Sequence, residues 1–207
     1  IKKETANYYL GLIKKLNLKT TVLDISTFAN SDLAIQQELK DSTATALVDI
    51  SPRNLEIALI KKGVLEFSRN ITWKNTDIKD VYSGKIKSPD SLETLSKSTT
   101  KLIINELEEA LSSCRNIEDN ESIEHIFISG GGTLAPQIIK QLEKETQVST
   151  QFISIPDSIS HPLPESFSIY HMMTALSLAI KDSRKQSFET NLLPSNLRPK
   201  KRKSNPD

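Results

Sequence analysis

Two short stretches of this chain place polar or bare-backbone groups where chemistry could be done. The first is "IFISGGGTLAP", residues 126–136, where a β-rich run empties into Gly130, Gly131 and Gly132 and is closed by Pro136. Residues without a Cβ let a flat or charged group approach backbone N–H groups at a helix start. The glycines fit neither a P-loop, because no Gly-Lys-Ser/Thr follows, nor a dinucleotide fingerprint, because the spacing is wrong. A purely structural strand-to-helix corner and a nucleotide or anion contact both remain open from these residues alone. The second stretch is "DISPRN", residues 49–54, with Asp49 at a strand end and Ser51 in the turn. An acid at a strand end, followed by a turn carrying serine and asparagine, could hold a phosphate or a hydrated magnesium, but Pro52 and the lack of glycine favour a plain β-turn.

The remaining candidates point to no catalytic or metal chemistry. His125, His161 and His171 share no ligand spacing, and His161, Asp157 and Ser158 lie in a proline-rich loop that makes a poor triad. Met172 and Met173 read as core filling. Glu106, Glu108 and Glu109 read from their spacing as the wet side of a helix. The single cysteine, Cys114, excludes a disulfide framework and a metal knuckle.

The elements that must position these residues follow from periodicity. Tyr8, Tyr9, Leu12, Ile13 and Leu16 are spaced as one side of a helix over 4–18. A short strand is expected over 20–26 and a helix around 31–39, with Ser31 as its N-cap. Strands over 45–51, 54–63 and 64–72, joined by tight turns, read as an antiparallel meander. After a polar connector (73–90), Leu92, Leu95, Leu102, Ile103, Leu107 and Leu111 mark a long amphipathic helix ending near Cys114. A strand over 123–129, a helix over 134–145 and a strand near 148–155 form a crossover unit, and a last helix covers 167–182. The expected class is α/β, a mixed sheet flanked by helices.

Composition sets the outer bounds. The 207 residues are 37% hydrophobic and 26% charged, with a formal net charge of +1, which suits a soluble domain with a real core and by itself names no partner. Basic residues crowd the end, in "RPKKRK" (198–203), without aromatic interleaving, which argues against nucleic acid. The competing readings of that run are a solvated tail and a flank of an anionic membrane surface. The opening "IKKETANYYL" starts in helix-like chemistry and carries no signal peptide, so a piece of a larger protein is expected.

In order and spacing, "ALVDIS", "NLEIALIKKGVLEFSRNI", "LIINELEEAL", "IEHIFISGGGTLAPQIIKQLEKETQVSTQFIS" and "ALSLAI" resemble the actin-like (ribonuclease H-like) ATPase superfamily. The nearest branch looks PilM-like, with the cytoplasmic domain of GspL as a relative. The resemblance implies a fragment of actin-like domain I over 1–44, a domain II without its small inserted subdomain over 45–182, and an extended juxtamembrane tail over 183–207. It implies that Asp49 and Ser51 begin the second phosphate hairpin, that Gly130, Gly131 and Gly132 form the adenosine turn, and that Glu106 lies on a helix approaching the ribose. "NLLP", Asn191, Leu192, Leu193 and Pro194, resembles a PilN-like partner-binding motif. Ser51-Pro52-Arg53 replaces the usual glycines and the first phosphate hairpin is not in this chain. The implied role is therefore a scaffold at the cytoplasmic face of the bacterial inner membrane, without ATP hydrolysis. Its implied partners are pilus or secretion assembly proteins, with self-association compatible. The alternative is an actin-like ATPase, using ATP and magnesium, whose other half lies outside these residues.

Overall fold

A computed structural model describes residues 2–35, 44–72, 77–114, 122–154, 172–180 and 190–198. The His161, Asp157 and Ser158 group, His171 and the basic residues 199–203 lie outside them. The chain divides into two compact units, residues 1–25 with 189–207, and residues 26–188.

The larger unit is built on a five-stranded sheet in the order β3-β2-β1-β4-β5. Its strands are β1 (Ala44–Ile50), β2 (Asn54–Lys61), β3 (Val64–Thr72), β4 (Ile123–Gly130) and β5 (Ser149–Phe152). As the tight turns require, β1, β2 and β3 pair antiparallel, while β4 lies parallel to both β1 and β5. The result is the expected mixed sheet, with the meander beside the 123–130 strand.

Strand alternation divides the buried residues between two faces. On one face Ala46, Val48 and Ile50 of β1, Leu55 and Ile57 of β2, and Ile126 and Ile128 of β4 form a single apolar core with the helices. The helices there are α3 (Asp77–Tyr82), α4 (Pro89–Ser113) and α5 (Ala135–Thr146). Ile103, Leu107 and Ala110 of α4 and Ile138 and Leu142 of α5 supply the facing side chains. The other face, with Leu47, Ala58, Ile60 and Phe127, meets α2 (Ser26–Ile35) and α6 (Met173–Ala179) through Leu33, Ala34 and Met173.

Local signals explain α4 well. Pro89 stands in its first turn, where a missing N–H costs nothing, and the Ser88 hydroxyl accepts from the Ser91 N–H at 3.3 Å. At its end the Cys114 N–H donates to the Ala110 carbonyl at 3.1 Å.

Three expectations need correction, two of them in the larger unit. Ser31 is not an N-cap: α2 begins at Ser26, and Ser31 is buried in its interior. The start is set by tertiary contacts, because the Ser26 hydroxyl donates to the Glu56 carboxylate of β2 at 2.8 Å and the Thr27 hydroxyl donates to its other oxygen. An anion at a helix N-terminus is favoured by the exposed N–H groups and the helix dipole. Asn30 then joins α2 to α6, donating to the Thr174 hydroxyl at 3.1 Å and accepting from Ser177 at 3.2 Å. Within the polar connector the structure also contains α3, which buries Ile78 and Val81, one helical turn apart.

In the smaller unit, α1 (Lys3–Lys15) is the expected helix, but it buries no residue, and Tyr8, Tyr9, Leu12 and Leu16 are exposed. Residues 19–25 are not a strand. They form no ladder, and bond instead to the segment around Asn191.

Ile103→Ala is expected to destabilise the larger unit by about 2–5 kcal/mol, since it opens a cavity under α4. Leu12→Ala on exposed α1 is expected to stay within about 0.5 kcal/mol of the parent. Urea unfolding of both variants checks the contrast.

Candidate functional site

The C-terminal ends of the parallel strands β1 and β4 come together, as the sheet register requires: Asp49 stands beside Ser129 and Ile50 beside Gly130. This is the edge at which open α/β sheets present ligand sites. Gly130, Gly131 and Gly132 all have positive φ, at 73°, 78° and 56°. Together they turn β4 through a 3-10 turn (Gly132–Leu134) into α5. The Gly131 N–H donates to the Ile50 carbonyl at 2.8 Å, tying the corner to the end of β1. A Cβ on Gly131 would lie 2.8 Å from the Ala135 Cβ, below any normal contact. The corner itself therefore demands glycine at 131, with or without a ligand.

Beyond Asp49, the turn of residues 51–54 closes on itself. The Ser51 N–H donates to the Asn54 carbonyl at 2.9 Å. The Ser51 hydroxyl donates to the Asn54 carbonyl at 3.0 Å and to its Oδ1 at 2.5 Å. That hydroxyl oxygen in turn accepts from the N–H groups of Arg53 at 3.4 Å and Asn54 at 3.2 Å. Pro52 has no N–H. Every backbone donor of the turn is thus used inside it, so these residues do not fit a phosphate cradle.

Asp49 has a neighbour the sequence reading missed. Glu56 lies directly opposite it on β2, so Glu56, Asp49 and Ser129 form a polar row across three strands, on the α2 and α6 face. Burial pushes the Asp49 carboxyl above its ordinary value, with the Ser129 hydroxyl offsetting part of the rise. Glu56 is raised chiefly by burial, less what the Ser26 hydroxyl restores, and further by the negative Asp49. Two acids side by side disfavour simultaneous ionisation. The alternation in "NLEIALI" held the signal, since it places Glu56 on the same face as Ala58 and Ile60.

Glu106 is not part of this group. It sits on α4, on the opposite face of the sheet, 3.0 Å from the Arg69 guanidinium of β3. Arg69 also bonds Glu109, so two of the glutamates read as a wet helix side form a clasp over the edge strand. Among the described residues no three His, Cys, Asp or Glu side chains gather as a metal site.

The second sequence-derived site lies in the smaller unit. The Asn191 side chain accepts from the Leu23 N–H at 3.2 Å and donates to the Thr21 carbonyl at 3.0 Å. The Leu192 N–H donates to the Leu23 carbonyl at 2.7 Å. Arg198 folds the segment back, its Nε donating to the Leu193 carbonyl and its Nη2 to the Asn191 carbonyl, both at 2.8 Å. Leu193 is buried and Leu192 exposed. From sequence Arg198 read only as part of the basic run and Leu23 only as part of a strand, because the partners that fix their roles are two backbone carbonyls of the 191–193 segment and an amide side chain far along the chain.

No protein-family model and no curated protein matches the chain. Solved structures do share its fold. A chain of a PilM-PilN type IV pilus biogenesis complex superposes with a TM-score of 0.64 at 16% identity, covering 89% of this chain and 59% of that one. MreB5 of Spiroplasma citri bound to ADP gives 0.56 at 14% identity, covering 88% of this chain and 66% of that one. The same protein bound to AMPPNP gives 0.52 at 14% identity, with 88% and 67% covered. The fold is therefore the actin-like one, and the chain spans about three-fifths of the pilus-complex chain it matches.

Gly131→Ala is expected to cost about 1–3 kcal/mol or more, from its left-handed backbone and the contact with Ala135. Gly84→Ala, also left-handed at φ 72° but meeting only the end of the Lys87 side chain at an ordinary 3.5 Å, is expected to cost less. Urea midpoints compare the two. Because the folded Asp49 binds its proton more tightly than the unfolded one, stability is expected to fall as pH rises from the ordinary carboxylate range to the raised value. Asp49→Asn is expected to flatten that slope and to raise stability at neutral pH, as denaturation across a pH series can read.

Proposed function

We propose that this chain is an actin-like scaffold domain of a pilus- or secretion-type assembly platform at the cytoplasmic face of the bacterial inner membrane. It works by protein contacts, with assembly proteins and with further copies of itself, rather than by hydrolysing ATP. The observation that carries the reading is the segment Asn191–Pro194, held against residues 21–23 by a side-chain amide that bonds the backbone on both sides of Val22. An Asn that satisfies a backbone donor and a backbone acceptor at once is a recognition device, and it makes a short motif selective for an extended partner segment. The fold shared with a pilus biogenesis complex chain supports the same role. The self-closed 51–54 turn supports the lack of hydrolysis. In the chain's own setting the motif pairs with residues 21–23 in cis, and the basic run that follows it in sequence, residues 200–203, is suited to an anionic membrane surface.

A second reading, a nucleotide-dependent ATPase completed by residues outside this chain, is favoured by Asp49 and the glycine turn sharing the end of the sheet. MreB5, of the same fold, has been solved with ADP and with AMPPNP.

Asn191→Ala is expected to speed amide exchange at Leu23 and Leu193 and to let a labelled peptide copy of residues 190–198 bind in trans. Unchanged exchange and no uptake would remove the docking claim. Calorimetric titration with Mg-ATP is expected to show no hydrolysis and weak or no binding. Micromolar affinity that disappears in Asp49→Asn would instead establish the second reading.

A further inference from the structure

On the outer side of the sheet, α4 and α5 leave a groove of about 860 Å3 between them. Lys97 and Lys101 project from α4 and Lys140 and Lys144 from α5 along its walls. Each pair is spaced four residues apart, which stacks the side chains on one side of a helix, so the two helices present matched cationic rows. The Thr100 hydroxyl donates to Gln141 Oε1 at 3.1 Å, bridging the helices and fixing their separation. None of these residues takes part in the two turns or in the docked segment.

Charge and shape both constrain what fits. Lys97 is neutralised by Glu93 at 2.6 Å. Among the described residues Lys101, Lys140 and Lys144 make no ion pair. They outnumber the one other carboxylate of the groove, Glu145. Like charges gathered on facing walls repel one another and are relieved by an anionic occupant. Gln137, which also lines the groove, has its Oε1 buried without a hydrogen-bond partner among the described residues. A buried acceptor left unmade carries a desolvation cost that an incoming N–H removes. A lipid surface is flat and is met by planar or convex basic faces, whereas these lysines line a concave channel that also includes apolar Ile104. A polypeptide fits the channel better, because it supplies carboxylates at its side chains and an N–H at each residue.

We infer that the α4–α5 groove binds an acidic polypeptide segment of a partner protein. Its carboxylates pair with the two lysine rows, and one of its backbone N–H groups donates to Gln137.

The test uses the full chain and a short labelled peptide alternating glutamate with leucine, followed by fluorescence anisotropy. Binding is expected to weaken as salt is raised. The paired reversal Lys101→Glu with Lys140→Glu is expected to lower affinity by about tenfold or more, with the thermal unfolding transition retained. Gln137→Leu is expected to weaken peptide binding several-fold while leaving any capture by phosphatidylglycerol vesicles unchanged. Wild-type affinity in the paired reversal would overturn the inference and assign the binding to the basic residues 198–203. So would vesicle capture that depends on the lysine rows in the absence of peptide binding, which would make the groove a lipid surface.

Discussion

Everything in the larger unit hangs on β1. It is bonded along one edge to antiparallel β2 and along the other to parallel β4, and both its faces are covered. Residues 44–48 are buried without interruption. A strand in that position must be apolar on both faces, because any polar side chain there loses water and must find a partner. Thr45 is the one polar residue in the covered stretch, and it has its own partner. The acid is postponed to Asp49, where the sheet ends and Ser129 stands alongside. The end of β1 is therefore the first place where the fold tolerates a carboxylate at all, and there the burial cost on Asp49 is still felt.

That constraint propagates to both turns. With β1 fixed, the hydrogen bond from Gly131 to Ile50 determines where β4 must stop, and the steric limit set by Ala135 determines that a glycine stops it. On the other side, Ser51 closes the hairpin so that β2 returns in register, which brings Glu56 opposite Asp49 and under the first turn of α2. The start of α2 is thereby dictated from the sheet through Ser26 and Thr27, rather than by a cap in its own sequence.

The strands and the long helix were legible because their signals are local. β-branched runs with tight turns fix β1, β2 and β3, and the periodic apolar series from Leu92 to Leu111 fixes α4. What could not be read was decided at a distance. The segment "STFANSDLAI" is buried on nearly every side, so it shows no amphipathic period, and Ser31 imitates a cap while lying inside the helix. α3 has only Ile78 and Val81 to declare it. Residues 20–26 carry the β-prone composition of a strand, yet their bonding partner is a segment near the other end of the chain. Within the candidate site, Asp49 and the glycines were visible as residue types. Alternation in "NLEIALI" puts Glu56 on a covered face, but only register puts it beside Asp49, and only knowing which face of the sheet α4 covers separates Glu106 from them.

What the two turns can bind is decided by their backbone donors. An anion site in this position is made of backbone N–H groups that the fold leaves unspent. Here the 51–54 turn spends its three on Ser51 and Asn54, and Gly131 spends its own on Ile50. Actin-like topology brings the ends of β1 and β4 together in any member of the fold, because the parallel pairing requires it. Whether that edge can hold a phosphate depends on a local choice, a serine-proline turn or a glycine one, that leaves the topology untouched. The same topology can thus be kept while the backbone donors at the end of the sheet are spent in different ways.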